Sequence, residues 1–151
     1  MQDISKHITY REATYSKTAE KLGIPNIPGN AEIKSMQLVA QTVFEPVRSY
    51  IDKPIKITSF FRSWALNRAI GGSASSQHVL GQAIDMEHTE GFTNLEIFNL
   101  IRQRGIFDQL IWEHGTDFEP DWVHVSYRPT NNRKQVLKAE KVNGKTKYFR
   151  I

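Results

Sequence analysis

The chain of 151 residues contains no cysteine. That absence removes disulfides, thiolate nucleophiles and Cys-type metal sites together, leaving histidine and carboxylates as the strong metal ligands. It also lacks any apolar run of about 18 residues, the length a membrane-crossing helix needs, and it has neither an internal repeat nor a low-complexity segment. The opening MQDISKHITYREA has no apolar stretch of the secretory kind, so the expectation is synthesis in the cytoplasm without a signal peptide. Surplus charge is small: 20 Lys and Arg against 16 Asp and Glu give a net charge of +4. Such an excess suits a soluble small domain and an approach to an anionic surface. No basic arm or aromatic platform accompanies it, so nucleic acid is not an expected partner.

What is present suffices for one core. Apolar residues make up 39% of the chain, and this length is that of one domain, here expected to span residues 1–151 and to act as a monomer. Thr14 to Leu22 reads as a short helix closed by Gly23. Asn30 then caps a longer helix running to Ile51, in which Met36, Val39, Ala40, Val43, Phe44 and Val47 recur at helical spacing and Pro46 predicts a kink or a lost hydrogen bond. PIKITSFF, from Pro54, alternates as a strand ending near Arg62, with one or two helical turns over Trp64 to Ile70 and a strand over Gln82 to Glu87. Thr93 caps an amphipathic helix that stops at Gly105. FDQLIWEH and DWVHVSY read as strands, and Asn143-Gly144 sits between two alternating runs as a tight hairpin. The whole reads as α+β, with helices mostly early and antiparallel strands mostly late.

The chemistry concentrates in SSQHVLGQAIDMEH, where His78 and Asp85 flank Gly81. A hydrolytic metal ion needs three protein ligands and one open position, and two histidines with one carboxylate form a recurring set. The second imidazole must come from His7, His88, His114 or His124. His124 is the best placed, in the apolar strand DWVHVSY, where an imidazole has little reason to stand without something to bind. Each histidine alone has an ordinary explanation, a half-buried ring bonded to a backbone carbonyl. The glycine and small residues around it give the backbone room to aim His78 and Asp85 at one ion.

Taken together, Ser76, His78, Gly81, Ala83 and Asp85 spell S-x-H-x-x-G-x-A-x-D, and His124 stands in D-W-V-H-V-S. This pattern resembles the zinc peptidases that cut peptidoglycan stem peptides: D-Ala-D-Ala carboxypeptidases, vancomycin-resistance D,D-dipeptidases and the L-alanyl-D-glutamate endopeptidases of phage lysis cassettes. The resemblance runs from about Thr58 through Tyr127 and includes ITSFFRSWALNRAIGGSASSQH. It implies a hedgehog/DD-peptidase-like fold, with an antiparallel sheet flanked by helices. It implies zinc on His78, Asp85 and His124, Asp121 as general base, and Arg62 holding or polarising the substrate carbonyl. Ser76 and Trp122 are candidates for substrate contact, and Glu87 for another acid beside the site. Many relatives carry glutamate at the position of Asp121. Positions three apart do not share a face of a regular strand, so Asp121 reaches the site only through a bend at Pro120; without one, Glu119, Asp117 or Glu113 serves instead. The resemblance implies a peptidase of peptidoglycan stem peptides, a phage or prophage endolysin released by lysis machinery or a carboxypeptidase. The hedgehog signalling domain shares the fold and its zinc site, which leaves a non-catalytic binding module as the alternative. An iron(II) oxygenase also uses two histidines and a carboxylate, but usually with its first histidine and acid two apart rather than seven.

Overall fold

A computed structural model describes residues 2–151. Two short helices open it, α1 (Tyr10–Thr14) and α2 (Lys17–Leu22). The expected single helix from Thr14 is therefore interrupted, because Tyr15 turns extended and the Ser16 hydroxyl accepts the Ala19 N–H to start a new helix. The long helix forms as α3 (Asn30–Val39), a π-helical turn (Ala40–Phe44) and α4 (Glu45–Ile51), with Gly29 rather than Asn30 at the N-cap. The π-turn accommodates Pro46, which has no N–H to give to the Thr42 carbonyl; Arg104 Nη1 donates to that oxygen instead, at 3.0 Å. Met36, Val39, Ala40, Val43, Phe44 and Val47 are all buried, as their spacing predicts.

The remaining elements are β1 (Lys56–Ser59), α5 (Trp64–Ala69), β2 (Ala83–Glu87), α6 (Asn94–Arg104), β3 (Gln109–Glu113), β4 (Trp122–Ser126), β5 (Gln135–Val142) and β6 (Lys145–Arg150). One six-stranded sheet takes the order β1-β2-β4-β3-β5-β6. Four of its pairings are antiparallel, but β5 runs parallel to β3, so the sheet is mixed rather than antiparallel throughout. The cause lies in the loop after β4. Asp108, just before β3, accepts the Arg133 backbone N–H through its carboxylate and the Gln135 N–H through its carbonyl. β5 therefore starts beside the start of β3 and must run the same way. Asn143 and Gly144, at φ 53° and 77°, close the β5–β6 hairpin as expected.

Alternation divides the sheet into two faces. Ile84, Met86, Leu110, Trp112, Val123 and Val125 enter the core with α3, α4 and α6. The intervening residues, Asp85, Ile111, Glu113, Trp122 and His124, face an open cleft on the other side. No helix among the described residues is long and apolar enough to cross a membrane.

Candidate metal centre

The cleft, about 820 Å³ in volume, is floored by β2, β3 and β4 and bounded by the loop from Gly71 to Gln82 and by the β5–β6 hairpin. Asp85 and His124 are direct cross-strand partners in the β2–β4 pair, and His124 Nδ1 lies 2.8 Å from Asp85 Oδ1. His78 arrives from the loop, its Nε2 3.3 Å from Asp85 Oδ2. The two imidazoles meet edge to face, with ring centroids 5.2 Å apart. His78 Nδ1 donates to the Phe60 carbonyl at 2.8 Å, which orients the ring and turns Nε2 toward Asp85.

These three side chains form a group able to hold a metal ion, each offering one ligand atom within 4.8 Å of the others. Tetrahedral ligands at ~2.0–2.2 Å from a zinc ion stand roughly 3.3–3.6 Å from one another, so the spacing needs only small adjustments. Burial by itself would raise the Asp85 pKa, but His78 and the hydrogen bond from His124 outweigh it and hold the carboxyl well below the usual range. The arrangement therefore favours the carboxylate form of Asp85. The other histidines lie elsewhere or stand aside: His7 pairs with Glu45 at 2.7 Å, and His88 Nδ1 bonds the Thr89 carbonyl. His114 lines the cleft, where its ring stands 5.4 Å from that of Trp122.

Gly81 makes the convergence of the loop possible. Its φ is +70°, and a Cβ there would stand 2.5 Å from the Glu32 carbonyl oxygen, so both the turn and the approach to α3 require glycine. Arg62 also lines the cleft. Its backbone N–H bonds the His78 carbonyl at 3.1 Å, and its Nη1 bonds Asn67 Oδ1 at 2.9 Å. Burial lowers the Arg62 pKa while the Asp85 charge opposes that shift. Ser76 and Trp122 line the cleft as well, and the Ser76 hydroxyl accepts the His78 N–H at 3.3 Å.

Two acids are placed differently from expectation. Asp121 is exposed and does not line the cleft. Its backbone does bend just before β4, where its N–H bonds the Glu113 carbonyl at 2.9 Å out of step with the Glu113–Trp122 pairing, but the bend leaves the carboxylate exposed rather than turned into the cleft. Glu87 also lies outside the cleft lining, at the end of β2 opposite Lys56. The acid that does face the cleft is Glu113, on the same face of β3 as Ile111, the cross-strand partner of His124. It is 7% exposed, and burial raises its pKa to about 7, with His124 opposing the shift and Asp85 adding to it. The alternation of Ile111 and Glu113 in FDQLIWEH was the available signal for it. Tyr148 of β6 reaches the cleft too, through a hairpin register that the strand pattern does not reveal by itself. Its hydroxyl pKa is raised by burial and by the charges of Glu113 and Asp85.

Residues 6–126 match the family described as Peptidase M15. The chain belongs to that family. Its members are metallopeptidases, and the convergence of His78, Asp85 and His124 in this M15 chain is the donor set that such chemistry requires. The β5–β6 hairpin lies beyond the matched residues, so one wall of the cleft is built outside the family region. No curated protein matches the chain.

Proposed function

We propose that this M15 peptidase is a zinc enzyme that hydrolyses peptide bonds in bacterial peptidoglycan stem peptides. The observation that carries the reading is the meeting of two imidazoles and a charged carboxylate on the floor of an open cleft, with a second, buried acid on the same sheet face. When bound, zinc supplies the Lewis acidity that makes water nucleophilic at neutral pH. His78, Asp85 and His124 are the ligands. Glu113 takes the general-base role in place of Asp121: a carboxyl with a pKa near 7 accepts a proton from the attacking water and returns it to the leaving amine. Arg62, oriented by Asn67, presents a permanent positive charge to the carbonyl oxygen as negative charge develops there. Ser76 steadies the His78 backbone, and Trp122 offers an apolar wall to the peptide.

An endopeptidase of the endolysin type is the favoured form, with D-Ala-D-Ala carboxypeptidase as the other. The cleft extends past the ligand group to Leu137, Thr146 and Tyr148 at the hairpin and to Ser73, Ser75 and Ser76 at the loop, leaving room for peptide on both sides of a scissile bond. The net charge of +4 assists approach to an anionic envelope once lysis machinery gives access to it.

The test is to incubate zinc-loaded protein with purified peptidoglycan and locate new termini by mass spectrometry. Release of D-Ala alone selects the carboxypeptidase, and an internal new amine selects the endopeptidase. Zinc bound with no new terminus returns the protein to the binding-module class.

A further inference from the structure

A second cluster of charge lies in the same cleft, away from the metal ligands. Arg128 and Arg133, on the loop between β4 and β5, both line it. Their shared counter-ion is Asp108, which is fully buried. Arg133 donates to Asp108 from Nε at 3.0 Å, from Nη2 at 2.7 Å and from its backbone N–H at 2.8 Å. Arg128 Nη2 stands 3.2 Å from the same carboxylate, and Gln77, the neighbour of His78, donates to it at 3.1 Å. Burial alone would raise the Asp108 pKa, but the contacts with Arg133 prevail and hold it at about 2. One fixed negative charge therefore faces two guanidinium groups, and one positive charge is left over on the cleft wall.

The left-over charge has an unused donor. Arg128 Nη2 also bonds the Asn131 carbonyl at 2.9 Å, yet Arg128 Nε is buried with no hydrogen-bond partner among the described residues. A buried N–H without an acceptor is destabilising, so Asp108 and Asn131 do not fully satisfy this guanidinium; its part-exposed end, like that of Arg133, faces the cleft, and a planar guanidinium matches the two oxygens of a carboxylate. Neither the ligand group nor the acid and arginine assigned to catalysis uses these groups.

We propose that Arg128 and Arg133 form a carboxylate-binding subsite, which anchors a free carboxylate of the peptide substrate and selects acidic peptides over amidated ones. The inference rests on the peptidase reading of the cleft. Arg128 follows His124 by four residues, roughly 13 Å of extended strand, so the anchored carboxylate belongs to a residue near the scissile bond and not to the scissile group itself. Asp108 acts as a positioning residue, fixing both arginines from beneath.

Two measurements test the subsite. In the first, zinc-loaded protein is given matched stem peptides in which each free carboxylate is replaced in turn by a carboxamide. One replacement is expected to lower kcat/KM by about 10-fold or more, mainly through KM, and Arg128→Gln is expected to bring the ratio between the two peptides close to one. Equal rates on acidic and amidated peptides by the unaltered protein overturn the subsite and leave the peptidase standing. In the second, glutarate is titrated into the zinc-loaded protein and the Nε–Hε resonances of Arg128 and Arg133 are followed by NMR. A saturable shift of both, weakened by salt, supports the subsite even if no peptide is cut; unmoved resonances overturn it whatever the peptides do.

Discussion

Asp85 and His124 face each other across the β2–β4 pair, Oδ1 to Nδ1 at 2.8 Å, although 39 residues separate them in the chain. Antiparallel register places the two donors side by side on rigid backbone, and the His78 loop needs only to supply the third. Asp85→Asn keeps the volume but loses the negative charge that draws a cation between the two imidazoles. We expect it to weaken zinc binding by more than the roughly 100-fold that loss of a residue supporting a ligand costs, read by competition with a chromophoric chelator, and to abolish hydrolysis. Unchanged zinc affinity would remove Asp85 from the ligand set.

The two candidate bases separate cleanly by substitution. Glu113→Gln is expected to lower kcat by about 10²–10⁴-fold with zinc retained, whereas Asp121→Asn, altering an exposed side chain outside the cleft, is expected to stay within about 3-fold of the parent. The opposite ranking would restore Asp121 as the base.

Glu113 also makes the stability of the metal-free protein depend on pH. Its folded pKa of about 7 lies above the ordinary 4.5, so the native state keeps a proton that the unfolded state has released. Stability from this group is full below the unfolded pKa and is lost as pH rises through that window, by on the order of 3 kcal/mol. Denaturant unfolding at pH 5 and pH 8 should show this loss in the parent and a smaller one in Glu113→Gln. A parallel pH dependence in the two proteins would contradict it.

Gly81→Ala meets two penalties, a left-handed backbone and a Cβ 2.5 Å from the Glu32 carbonyl oxygen. Together they are expected to cost about 2–4 kcal/mol, visible as a lower urea midpoint. Because relief requires the loop to shift away from α3, zinc affinity should fall as well. A variant with full stability would mean that the turn tolerates a side chain.

Much of this was legible along the chain because it depends on local chemistry. The apolar stripe from Met36 to Val47 across α3 and α4, the Thr93 cap, the stop at Gly105 and the Asn143-Gly144 turn are set by spacing and by backbone preferences of a few residues. His78, Asp85 and His124 stood out because their types and intervals are rare together. For Asp121 an interval in sequence does not fix a direction in space: the expected bend is present, yet the side chain is exposed and outside the cleft. Glu113 had the right parity, but nothing local announced that β3 lies beside β4 at the register that brings it near His124.

The sequence by itself determined the inventory: no thiols, a small positive surplus, an apolar stripe for one core, and two histidines and an aspartate in an arrangement that fits a divalent cation. Tertiary structure decided the parallel placement of β5 beside β3, the acid facing the cleft, the Tyr148 wall and the pairing of two arginines over one buried aspartate. The reason is that periodicity tells which side chains share a face of a strand, while the neighbour and register of that strand are set by contacts between distant residues, such as Asp108 with the Arg133 and Gln135 backbone.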